Sequence, residues 1–116
     1  MAQAVILISS YQSDTTQEQN QRRLEHTMQA NKIDYLSVDG ALAENKETRD
    51  TLFSVSGQRG KYPQCFIKEN DTYTFIGLWD AIESLLECND LPAEVLEANP
   101  NIPTFEKTFA NVMKTE

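Results

Sequence analysis

Thiolates and imidazoles carry out most of the nucleophilic, proton-transfer and metal chemistry available near neutral pH, and this chain has two cysteines, Cys65 and Cys88, and a single histidine, His26. The cysteines are far apart in sequence. Cys65 lies in the β-prone run Cys65-Phe66-Ile67, where an apolar setting raises a thiol pKa and blunts its reactivity. Cys88 falls near the end of a predicted helix, where the partial negative charge of the dipole disfavours a thiolate. Two reduced thiols are therefore expected, and both settings argue against the alternative of a thiol–disulfide oxidoreductase working through Cys65 or Cys88. No paired cysteine–histidine spacing offers a ligand set, so no metal site is expected. Ser9, Ser10 and Ser13 supply hydroxyls, but the lone histidine stands well downstream on a helix and gives them no general base.

These side chains need elements to hold them, and the chain supplies an alternation. Ala4-Val5-Ile6-Leu7-Ile8 is a continuous apolar run, the pattern of a central strand buried on both faces. The polar stretch from Ser9 to Thr16 can cap a helix. From Gln17 to Asn31 the spacing of Leu24 and Met28, with Ala30 beside them, predicts a helix with one narrow buried stripe. Ile33 to Asp39 predicts a second strand, and Lys46 to Val55 a second helix burying Leu52, Phe53 and Val55 and stopped at Ser56-Gly57.

The segment Gly60-Lys61-Tyr62-Pro63-Gln64-Cys65-Phe66-Ile67 puts a proline at the mouth of a strand, because proline lacks an N–H and cannot donate within a ladder. Glu69-Asn70-Asp71 and the run Tyr73-Thr74-Phe75-Ile76, ending at Gly77, complete a hairpin. Leu78 to Glu87 predicts a third helix, with Trp79, Ile82, Leu85 and Leu86 inward and Asp80 in its first turn. Beyond Asn89 the character changes, with Pro92, Pro100 and Pro103 separating short apolar groups. A short helix is predicted from Pro92, and another from Thr104 to Met113 carrying Phe105, Phe109 and Val112 or Met113 on one face. The expected organisation is one α/β domain over residues 1–89, a four-stranded mixed sheet flanked by helices, with a helical, docked extension over residues 90–116.

The chain's 116 residues suit a single domain, and its 40% hydrophobic and 24% charged content is that of a globular protein. Ten basic residues stand against eighteen acidic ones, a net charge of −8 that repels nucleic acid and anionic membrane surfaces. The apolar run from Ala4 to Ile8 is too short to span a bilayer and lacks the flanks of a secretory signal, so a cytoplasmic protein is expected.

Tyr62-Pro63-Gln64, the apolar run and hairpin behind it, and Gly77 with Asp80 opening a helix resemble the second half of a glutaredoxin-type, thioredoxin-like fold. The proline is cis in that fold, so the resemblance implies a cis Tyr62–Pro63 bond. Redox members place a cysteine at the start of the first helix, where the dipole favours a thiolate. Here Ser10-Tyr11-Gln12-Ser13-Asp14 fill those positions, and residue type excludes thiol exchange there. Over residues 4 to 89 the chain is similar to the SH3-domain-binding glutamic-acid-rich-like proteins, a branch without that cysteine. The matching stretches are Ser9-Ser10, Ala30-Asn31-Lys32-Ile33, Thr48-Arg49-Asp50, Tyr62-Pro63-Gln64, and Gly77 with Trp79-Asp80-Ala81.

That resemblance implies a small cytosolic adaptor or modulator, not an enzyme, acting through protein partners and without a cofactor. The surface it points to is a groove formed by Ser10, Tyr11, Tyr62, Pro63, Gly77 and Asp80. Glutathione or peptide binding in the same groove is the alternative, and in glutathione-binding relatives it would engage Tyr62, Pro63, Gly77 and Asp80. Leu78 stands where glutaredoxins commonly have a second glycine, and its side chain would crowd such a ligand. The family's proline-rich segment and acidic run are missing. A Pro-x-x-Pro spacing, which SH3 grooves read in extended form, occurs instead at Pro100 and Pro103, with a structural turn as its competing reading.

Overall fold

Strand β1, Gln3–Ile8, is the axis of the molecule. In the computed structural model, which describes residues 2–11 and 14–115, its inner residues Ala4 to Leu7 have no exposed surface. The strand pairs in parallel with β2, Tyr35–Asp39, on one side, and antiparallel with β3, Gln64–Glu69, on the other. Strand β4, Thr72–Leu78, completes the mixed sheet in the order β2-β1-β3-β4. The β3–β4 hairpin turns through Asn70 and Asp71, both with positive φ (52° and 65°), as a tight primed turn requires.

Alternation along β1 divides the core in two. Ala4 and Ile6 face helices α1, Thr15–Ala30, and α3, Trp79–Asn89, where they meet Leu24, Met28, Ile82 and the Cys65 side chain. Val5 and Leu7 face α2, Lys46–Ser56, and pack with Leu52, Phe53 and Phe66. Helices thus cover both faces of a four-stranded sheet, and the fold is the thioredoxin-like arrangement. The Tyr62–Pro63 peptide is cis, as the resemblance implied.

Local signals set the helix ends. Asp14 caps α1 by accepting from the Gln17 N–H at 3.1 Å. Gly57 ends α2 in the left-handed conformation, φ 71°, donating to the Phe53 carbonyl at 2.8 Å. Some expected burial is displaced. The stripe of α1 runs Gln21, Leu24, Met28, so it begins a turn early with a polar residue, while Ala30 is exposed. Val55 is 43% exposed, because the buried side of α2 is centred on Leu52 and Phe53. Ile33 is buried but precedes β2, and Leu36 is 45% exposed on that edge strand.

The extension is docked. After helix α4, Ala93–Ala98, a second short helix, α5, covers only Phe105–Thr108, where the sequence predicted helix as far as Met113. Phe105 and Phe109 still share a face, with ring centroids 4.6 Å apart, and both are buried in the α1/α3 core. Each gains roughly 1.5–3 kcal/mol from that burial. The following residues extend because they find backbone partners: Met113 N–H donates to the Ala2 carbonyl, Asp34 N–H to the Met113 carbonyl, and Thr115 N–H to the Lys32 carbonyl. Val112 and Lys114 bridge Ala2 and Ile33, closing the gap between the starts of β1 and β2.

Candidate functional site

The other end of the sheet, where β1 and β2 finish, β3 begins and β4 meets α3, gathers the loops. Three glutamine side chains organise them. Gln21, buried on α1, pairs with both backbone groups of Ser9, its Oε1 accepting from the N–H at 2.9 Å and its Nε2 donating to the carbonyl at 3.2 Å. Gln64, fully buried at the start of β3, donates through Nε2 to the carbonyls of Gln58 (2.6 Å) and Lys61 (2.9 Å), fixing the loop before the proline. Gln17 accepts from the Tyr62 N–H at 2.9 Å, tying the first turn of α1 to the residue before Pro63. In each case a carboxamide satisfies backbone groups that have left regular structure, Ser9 just past β1 and Gln58, Lys61 and Tyr62 in the loop before β3, as buried or half-buried backbone groups require.

These supports frame a groove of about 330 Å³. Gln17 and Asn20 form its α1 wall, Lys61, Tyr62 and Pro63 its loop wall, and Leu78, Trp79 and Asp80 the wall at the start of α3. Lys61 and Asp80 give it one positive and one negative group, and neither is ion-paired among the described residues. Asp80 also accepts from the Ala81 N–H at 2.9 Å, in keeping with a carboxylate at a helix start.

Of the six residues expected in the groove, Tyr62, Pro63 and Asp80 line it together. Gly77 lies buried beneath, where a Cβ would collide with that of Ala81, so glycine is what lets α3 start close against the sheet. Ser10 is turned toward the end of β2, its N–H donating to Asp39 Oδ1 at 3.0 Å, and Tyr11 is 91% exposed. Neither is among the described lining residues, and Gln12 and Ser13 lie outside the described residues. Burial alone would raise the Asp39 pKa, but hydrogen bonds from Ser10 and Ala41 prevail and hold it below the ordinary carboxylate value.

Tyr62 sends its ring toward α2, edge-on to Phe53 at 6.0 Å, with Arg59 over the Phe53 ring at 5.2 Å. Desolvation raises the Tyr62 pKa, and the Asp39 charge adds to this against the opposing pull of Arg49 and Arg59. Cys65 is entirely buried, and desolvation pushes its thiol up to about 12. Cys88 is a half-buried free thiol on the last turn of α3. Among the described residues no three histidine, cysteine, aspartate or glutamate side chains form a metal-ligand group, and no helix is long and apolar enough to cross a membrane. Pro100 and Pro103 are exposed, and the segment between them is folded by the Ile102 N–H donating to the Asn99 carbonyl and by Lys107 Nζ donating to the carbonyls of Pro100 and Ile102.

Sequence reasoning missed the glutamines. Gln21 had one readable signal, its i, i+3, i+7 spacing with Leu24 and Met28. Gln17 had none, since its partner Tyr62 lies 45 residues away, and Gln64, read only as part of the proline motif, reaches carbonyls three and six residues back that periodicity does not mark. The fold and groove define a thioredoxin-like α/β protein in which serine, not cysteine, follows the first strand. Comparison with protein-family models gives no match, and comparison with curated proteins gives none either.

Proposed function

We propose that this chain is a redox-inactive, glutaredoxin-like adaptor or modulator of the SH3-domain-binding glutamic-acid-rich-like type, a cytoplasmic protein that binds a protein partner at the Tyr62–Pro63 groove. The observation carrying this reading is a groove beside Pro63 with no thiol among its described lining residues: Cys65, two residues on, is enclosed with its pKa pushed up to about 12. A thiol in that state is almost entirely protonated at neutral pH and reaches no substrate. Lys61 and Asp80 supply opposite charges for orienting a peptide.

A second reading, glutathione binding, is favoured by the same charge pair, which suits a small zwitterion. Titration with glutathione, followed on the backbone amides of Tyr62 and Asp80, separates the two, since the adaptor reading expects no saturable shift at millimolar ligand. The adaptor itself is tested by placing a photo-crosslinking benzoylphenylalanine at Asn20, on the groove wall, or at Asn70, on the exposed hairpin turn. The expected result is a discrete protein adduct from position 20 that is absent from position 70 and lost in Asp80→Lys. Identical adducts from both positions, or none from position 20, would overturn it. Asp80 serves better than Tyr62 here, because the Tyr62 ring packs on Phe53 and its loss would disturb α2.

A further inference from the structure

The loop before Pro63 uses its backbone donors in an uneven way. The Lys61 N–H is held by the Gln58 carbonyl at 3.3 Å, Pro63 has no N–H, and Gln64 already belongs to the sheet. The Tyr62 N–H, at the groove wall, is held by a side chain 45 residues away in sequence. Gln17 is itself braced from behind, its Nε2 3.5 Å from Asp14 Oδ2 and its own N–H bound to Asp14 Oδ1. A glutamine carboxamide has the hydrogen-bonding groups of a peptide bond. It therefore occupies the place that the backbone carbonyl of an extended ligand would take on Tyr62.

We propose that Gln17 is the specificity-determining residue of the groove: it holds the Tyr62 N–H so that an extended protein segment able to supply both a displacing carbonyl and charges matching Lys61 and Asp80 is admitted, while a free tripeptide is refused. This rests on the reading of the groove as the partner-binding surface. The physical reason is an exchange. A ligand carbonyl that replaces the Gln17 carboxamide gains one hydrogen bond and breaks an equivalent one, so that contact adds little net affinity. A long segment has further contacts to draw on, and a short peptide must also meet the cost of its own immobilisation.

The test uses the full chain, S-methylglutathione as a redox-inert tripeptide probe, and amide NMR on three proteins: wild type, Gln17→Ala and Gln17→Glu. The wild type should show no saturable shift. Gln17→Ala should bind with shifts confined to the amides around Lys61, Tyr62 and Asp80, at least about tenfold tighter, equivalent to ~1.4 kcal/mol. Gln17→Glu keeps an acceptor on the Tyr62 N–H and should stay closed. Hydrogen exchange at the Tyr62 amide should quicken in Gln17→Ala, reporting loss of the native hydrogen bond. Quickened exchange without gained binding would overturn the proposal and leave Gln17 a structural strut, as would equal binding by wild type and Gln17→Ala. The photo-crosslinking experiment reads the natural partner with Gln17 in place, so its failure would sink the adaptor reading without altering this result.

Discussion

The two ends of the sheet are closed by different means. At the starts of β1 and β2 the chain seals itself with backbone: Val112 to Thr115 pair with Ala2, Lys32 and Asp34, over the buried rings of Phe105 and Phe109. At the finishing end, three carboxamides do what backbone does elsewhere. The difference separates a structural end from an exchangeable one. Backbone pairing backed by aromatic burial opens only if the core opens, and the buried Gln21 and Gln64 are similarly enclosed, whereas the Gln17 carboxamide on the half-buried Tyr62 amide can leave by rotating about its own bonds.

The largest loss of stability is expected at the sealed end. Phe109 is 2% exposed and joins the extension to the α1/α3 core, so Phe109→Ala should destabilise the whole domain. A loss of roughly 3–5 kcal/mol is expected in urea unfolding, with all probes reporting one transition. A separate early transition confined to residues 90–116 would show that the sealed end is an appendage and erase the contrast.

Smaller effects are expected where carboxamides act. Gln21→Ala leaves both Ser9 backbone groups without their partner in a buried site, which should cost about 1–3 kcal/mol. Hydrogen exchange should rise mainly at Ser9 and its neighbours. A uniform rise across β1 would mean that Gln21 supports the core and not the loop.

Cys65 sharpens the boundary between groove and core. Its thiol pKa is raised from 9.0 to about 12 by burial, so between those values the unfolded chain releases a proton that the native chain keeps. The unfolded state then binds fewer protons, and stability falls as pH rises, by up to about 1.4 kcal/mol per pH unit from this group. Below pH 9 the contribution is fully present. Comparing urea midpoints of wild type and Cys65→Ala from pH 8 to 10.5 isolates it: the wild type should fall more steeply, and parallel curves would place Cys65 in contact with solvent through the groove.

The alternation of elements was legible because it follows from local patterns. The apolar run at Ala4 to Ile8 names a central strand, Asn70-Asp71 a tight turn, Gly57 a helix stop, and Pro63 a strand mouth. Half of the expected groove was legible for the same reason, since Tyr62, Pro63 and Asp80 sit at element ends that the sequence marks. Ser10 and Tyr11 were expected there because they follow β1, but the direction of a loop side chain depends on what holds its backbone, and Asp39 and Gln21 decided that from other elements.

The chemistry this protein has to work with was written in its sequence: no cysteine between the first strand and the first helix, a proline before the third strand, and enough patterned apolar residues for one α/β core. Only the tertiary structure decided that Met113 would pair with Ala2 where a helix was expected, and that Gln17 would reach Tyr62. Periodicity reports which face of an element is buried. It carries no information on which distant backbone group will be left without a partner, and satisfying those groups is what shaped both ends of the sheet.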